Sequence, residues 1–146
     1  MRALLLTLHV LGACVWTGGH LVLAVAVLPR ALARRDSRIL RGFEEPFERI
    51  GIPALVVQVL TGLWLAGQFV PMTRWLAFGS ALEVRVGTKL LLLGLTVALA
   101  LHARLRVIPR LDGSGLGLLA THIVIVTALA VALVVVGVSF QTGGLF

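Results

Sequence analysis

Cysteine, methionine and acidic side chains are all scarce in this chain. Its 146 residues include one cysteine, two methionines and six acidic residues, and only 13% of them are charged. A single cysteine, Cys14, excludes an internal disulfide. Met1 and Met72 are too few for a thioether relay handing Cu(I) from site to site. So little charge beside 59% apolar residues and a mean hydropathy of +1.05 excludes a soluble domain with an ordinary surface. Also missing are a phosphate-binding glycine loop, a nucleophile with a partnered base, and the two histidines four apart around a glutamate that mark a catalytic zinc helix.

The chain consists mostly of four apolar runs, at about residues 3–28, 51–70, 86–108 and 116–140. Each comes near the ~20 residues a helix needs to cross a bilayer, and backbone groups in lipid must be satisfied within their own segment. The expected fold is all-α, a four-helix integral membrane bundle forming a single domain over residues 1–146. Arg30, Arg34, Arg35, Arg38, Arg41 and Arg49 crowd the connection between the first two runs, and Arg104, Arg106 and Arg110 that between the last two. The positive-inside rule puts these two connections in the cytoplasm, which sends both termini to the outer side of the cell's inner (plasma) membrane. The net charge of +7 is then topological, and no nucleic-acid partner is expected. Around Leu11-Gly12-Ala13-Cys14 the chain resembles a lipoprotein cleavage box, but the apolar run continues to Leu28, so the first span is expected to stay uncut.

All four histidines, His9, His20, His102 and His122, fall inside these runs. A titratable ring in hydrocarbon costs roughly 2 to 3 kcal/mol or more unless it is paired or ligated, which makes all four candidate metal ligands. On the first span His9, Gly12, Trp16, Gly19 and His20 form one stripe. His9 and His20 are about 20° out of register and about 16 Å apart along the axis, too far for one metal ion but suited to two sites at different depths. Gly12 and Gly19 either let a flat group approach the backbone or let helices pack closely. Cys14 points away from the stripe and reads as a packing residue. Measured from the span centres, His20, His102 and His122 lie roughly 7 Å to the cytoplasmic side, with His9 about 10 Å and Lys89 about 12 Å outward. Three imidazoles in one layer can give a haem iron two axial ligands, or copper a three-imidazole site. Arg104 or Arg106 is placed to neutralise haem propionates. Lys89 either snorkels to the interface or meets a propionate or an anionic substrate.

Three motifs carry a resemblance to known families. The run His9-Val10-Leu11-Gly12-Ala13-Cys14-Val15-Trp16-Thr17-Gly18-Gly19, the Leu60-Thr61-Gly62-Leu63-Trp64 of the second span and the Arg85-Val86-Gly87-Thr88-Lys89 opening of the third resemble the CopD-type copper-resistance membrane domain. More distantly, they are similar to HemJ-type protoporphyrinogen oxidases. The likeness covers spans one to three well and span four loosely. It implies a helical bundle that handles copper, haem or a tetrapyrrole. In the HemJ-like group a first-helix histidine goes with haem binding and a third-helix lysine with activity, roles that map onto His9 and, as the catalytic candidate, Lys89. His20 and His122 stand outside that pattern and point to a second centre.

Two functions from different classes follow. The first is a membrane redox protein with one or two haem b groups, and copper as a further cofactor, that transfers electrons or oxidises a lipophilic substrate such as a quinol or a porphyrin-like ring. Because four short helices enclose two macrocycles poorly, this reading expects a homo-oligomer in the lipid bilayer. The second is copper import along a ladder of histidines. Residues 36–49 are expected to form an interfacial connector or short amphipathic helix broken near Pro46, and residues 71–83, with Trp75 and Phe78, an anchored outer connection. Gln58 and Thr61 are candidates to bond a ligand or another helix.

Overall fold

A computed structural model describes residues 1–110 and 115–143, Arg110 through its backbone only. The Arg110 side chain, counted above among the cytoplasmic arginines, therefore lies outside the described part. Four long helices, α1 (Arg2–Arg34), α2 (Arg38–Phe69), α3 (Ala81–Val107) and α4 (Leu116–Thr142), are each long and apolar enough to cross a membrane. No strand occurs among the described residues. Large apolar side chains such as Leu4, Val25, Leu60, Leu91, Leu105 and Val124 face outward. That surface suits a multi-pass protein whose solvent is lipid, where apolar exposure carries no penalty.

Three helices outrun the expected boundaries, α2 most of all. Residues 38–50 form no separate connector: α2 runs unbroken from Arg38 through Pro46 and Pro53 to Phe69. Each proline removes one backbone hydrogen bond but fixes a helical φ, and the flanking bonds carry the helix across. Two other prolines, Pro29 within α1 and Pro109 just past the end of α3, leave a visible trace. Pro29 follows a π-helical turn at Leu23–Val27 within α1, and Pro109 follows another at Ala103–Val107 closing α3. Such widened turns accommodate a missing N–H and are frequent at functional sites. One begins three residues after His20 and the other directly after His102.

The connections are tight. Arg35, in the left-handed region at φ 49°, ends α1. Asp36 then accepts hydrogen bonds from the Arg38 N–H at 3.0 Å and from its Nε at 2.9 Å. These bonds hold the Asp36 carboxyl below the usual carboxylate range. At the other end the Trp75 indole donates to the Val70 carbonyl at 2.9 Å, so this tryptophan secures the turn after α2. Buried Glu83 accepts from Gly79 N–H at 2.8 Å and pairs with Arg74 at 2.8 Å. Phe78 packs on Gly87, where a Cβ would stand 2.7 Å from the ring.

Consecutive helices run antiparallel, and their packing is uneven. α1 lies along α2, α3 along α4, and α1 also meets α4, whereas α2 and α3 scarcely touch. One buried cluster, Leu23, Leu28, Ala31, Leu40, Val107, Leu119 and Ile123, joins all four helices at the arginine-rich end. A second, Trp16, Val126 and Ala130, ties α1 to α4 at mid-depth. The α1–α2 seam depends on Gly12, where a Cβ would stand 2.8 Å from the Ala54 carbonyl oxygen and 2.8 Å from Gln58 Cβ. The seam predicts that Gly12→Leu destabilises the bundle by about 1 to 3 kcal/mol through overpacking. Gly18→Leu, with nothing within 4 Å of its Cβ position, should be tolerated. Thermal unfolding in detergent followed by circular dichroism compares the two.

Candidate functional site

An imidazole has two ring nitrogens, and the neighbours of each fix which one carries the proton. His20 Nδ1–H donates to the Trp16 carbonyl one turn back on α1, at 2.9 Å. His9 Nδ1–H donates across the α1–α2 seam to the Gln58 carbonyl at 2.8 Å, with Thr61 Oγ1 at 3.2 Å. Gly62 makes room for that ring, since a Cβ there would lie 2.8 Å from His9 Cε1. His122 Nδ1–H donates to the Leu118 carbonyl at 2.9 Å. Its Nε2 is therefore an acceptor, and His102 Nδ1–H fills it at 2.8 Å. His9, His20 and His102 each offer a lone pair at Nε2, while His122 has spent both nitrogens. This is the usual arrangement of a ligating histidine, whose second N–H is held by a carbonyl or another acceptor.

Of the layer expected from sequence, His102 and His122 touch, and His20 and His122 line one cavity of about 300 Å³. The cavity opens where α2 and α3 part. Its wall includes Trp16, His20, Phe47, Thr96, His122 and Val126, and it is predominantly apolar. The rings form a cluster: His20 lies 4.4 Å from Trp16 and 5.8 Å, edge to face, from Phe47. The Trp16 Nε1 proton is buried with no acceptor among the described residues. The Thr127 hydroxyl of α4 is shared between the Ile123 carbonyl of its own helix at 2.7 Å and the His20 carbonyl of α1 at 3.2 Å, a link between the two helices at this level.

The other expected site residues are placed as follows. The space left by Gly19 is taken by the Phe47 ring, 2.1 Å from a hypothetical Cβ, and that left by Gly12 by α2 itself. A flat group reaches Gly19 only if Phe47 swings away. Arg104 stands at the mouth of the cavity, but its guanidinium already pairs with Glu48, tying α3 to α2 across the gap. A propionate would have to displace Glu48 to reach it. Lys89, half-buried, lies 5.8 Å over the Phe140 ring near the far end of the bundle. Gln58 meets His9 through its backbone, and its side-chain Oε1 is buried without a partner among the described residues. Cys14 is exposed and free. No three His, Cys, Asp or Glu side chains converge on a metal-sized point among the described residues, so the three-imidazole copper centre is not assembled in this arrangement.

Phe47, Glu48 and Thr96 line the cavity and were not singled out from the sequence. For Phe47 and Glu48 the signal was hidden by reading residues 36–49 as a surface segment. Thr96, donating to the Leu92 carbonyl at 2.8 Å, looks like any helical threonine.

The bonds around the four rings predict one tautomer for all of them, with the proton on Nδ1. Imidazole ¹⁵N spectra at a pH where the rings are neutral should show four such signals. Gly62→Val, by pushing the His9 ring off Gln58, should alter the His9 signal alone. Comparison of the chain with protein families, curated proteins and solved structures gives no match.

Proposed function

We propose that this chain is a multi-pass redox protein of the inner membrane, its termini outward, that holds haem b in the cleft between α2 and α3 through His20 and exchanges electrons with a lipophilic substrate such as a quinol. The observation that carries this reading is the His20 Nε2 lone pair in an apolar cavity, its ring fixed by the Trp16 carbonyl. His20 would hold the haem there, and the group would supply one-electron chemistry at a potential its ligand helps to set. Trp16 adds a buried N–H in need of an acceptor, and its ring lies 4.4 Å from the imidazole with the planes 42° apart. Nine arginines flank the membrane at this end, which suits the carboxylates of a tetrapyrrole once Arg104 exchanges Glu48 for them. At about 300 Å³ the cavity sits at the bottom of the range for small-molecule pockets, so a macrocycle held by His20 would need more room than the cavity encloses. A second copy of the chain closing the α2–α3 gap is the reason to expect a homo-oligomer. His9 lies outside this cavity, packed on Gly62, which favours one haem per chain over two.

A second reading, copper import, draws on the same rings differently. His9, His20 and His102 each offer one free nitrogen, His9 toward one end of the bundle and the other two in one layer, a two-level ladder of weak, exchangeable sites.

The absorption spectrum and metal content of the detergent-purified protein separate the two. A Soret band lost in His20→Ala and kept in His9→Ala is expected. Phe47→Ala, which empties the space over Gly19, should raise haem occupancy. A band that survives His20→Ala would sink the assignment, and a colourless protein carrying exchangeable copper would leave the import ladder.

A further inference from the structure

The His102–His122 pair crosses the wall of the bundle. His122 is buried on α4 with its ring on the cleft, whereas His102 is exposed and contributes nothing to the cleft lining. The two rings stack with centroids 5.0 Å apart and planes 18° apart. The Leu118 carbonyl fixes the His122 proton on Nδ1, His122 Nε2 then draws in the His102 Nδ1 proton, and His102 Nε2 is left with a bare lone pair. No partner for that nitrogen exists among the described residues. Leu105, one turn on along α3, and Leu118, one turn before His122 on α4, are exposed as well. α3 continues only five residues beyond it to Val107, about 8 Å along the axis, so the lone pair stands toward the headgroup end of the apolar wall. An acceptor against acyl chains gains from any donor that a membrane-soluble molecule carries to it.

We propose that His102 Nε2 is a docking point, on the bilayer-facing side of the α3–α4 seam, for the phenolic hydroxyl of a lipid-soluble hydroquinone. The recognising chemistry is a hydroxyl donor on an apolar body, which membrane alcohols share. The choice of a hydroquinone rests on the redox reading of the cleft, because His122 serves both places: it holds His102 on one side and lines the cavity on the other. The tautomer sets the selectivity. A hydroquinone donates to the lone pair, but the oxidised quinone offers only carbonyl acceptors, which the same nitrogen cannot bind. His122 is a positioning residue here. Without it the His102 proton is free to move to Nε2, and the preference for the reduced form collapses.

The test uses the full chain in phosphatidylcholine nanodiscs, kept anaerobic, with a decyl-substituted dimethoxy hydroquinone, the matching quinone and dodecanol as probes. The hydroquinone should perturb the His102 Nε2 ¹⁵N signal and bind tighter than the quinone by about tenfold or more, the worth of one hydrogen bond in an apolar setting. His102→Phe should lose that binding. His122→Phe should erase the preference, and His122→Asn, whose amide oxygen can accept the His102 Nδ1 proton, should restore it. Equal binding of hydroquinone and quinone, undiminished binding to His102→Phe, or a wild-type His102 protonated on Nε2 would each overturn the site. Dodecanol binding as tightly as the hydroquinone would overturn the hydroquinone and assign the site to a membrane alcohol. Loss of the hydroquinone site with an intact Soret band refutes this inference alone, and an intact site in a haem-free protein refutes the cleft reading alone.

Discussion

A helix backbone in hydrocarbon satisfies its own polar groups and has little left to give a side chain, so an imidazole on such a helix must find its acceptor at a specific place. His20 and His122 find it in the carbonyl one turn back, and His9 in the carbonyl of Gln58 on the neighbouring helix. In each case Nδ1 is the nitrogen committed. The rings are thereby oriented before any ligand arrives, which lowers the ordering cost of binding one. The same requirement explains the surroundings: Gly62 is small where the His9 ring turns toward α2, and Thr127 reaches from α4 to the carbonyl of His20.

The cleft follows from unequal helix packing. α1 contacts both α2 and α4 and acts as the central element, while α2 and α3 stand apart. Glycine lets α2 come close to α1 at Gly12, but no comparable seam draws α2 to α3. What spans the gap is the Arg104–Glu48 ion pair at its mouth. An exposed pair of this kind is worth little to stability, so it constrains geometry more than it holds the fold together.

The helices were legible in the sequence because apolar length is an almost complete specification of a membrane span. Counting residues from the span centres put His20, His102 and His122 in one layer, and in the structure His122 meets His102 and lines a cavity with His20. Three things were not legible. The start of α2 was hidden because charged residues 38–49 continue a helix beyond the apolar run, and composition marks where lipid ends, not where the helix does. The partner of Arg104 was hidden for the same reason, since Glu48 lies in that segment. The space beside Gly19 was misleading because a glycine shows that something approaches, not what it is, and here it is the Phe47 ring.

The prolines of α2 have a mechanical meaning. Pro46 and Pro53 each leave a carbonyl one turn earlier without its backbone donor. Between them lie Phe47, Glu48, Gly51 and Ile52, four of the six residues through which α2 lines the cleft, with Glu44 and Leu55 just outside. The stretch of helix that must yield to admit a bulky guest is thus bounded at both ends by its weakest bonds. Compliance is concentrated beside the entrance, and the stiff remainder of α2 keeps its grip on α1 while that short segment bends.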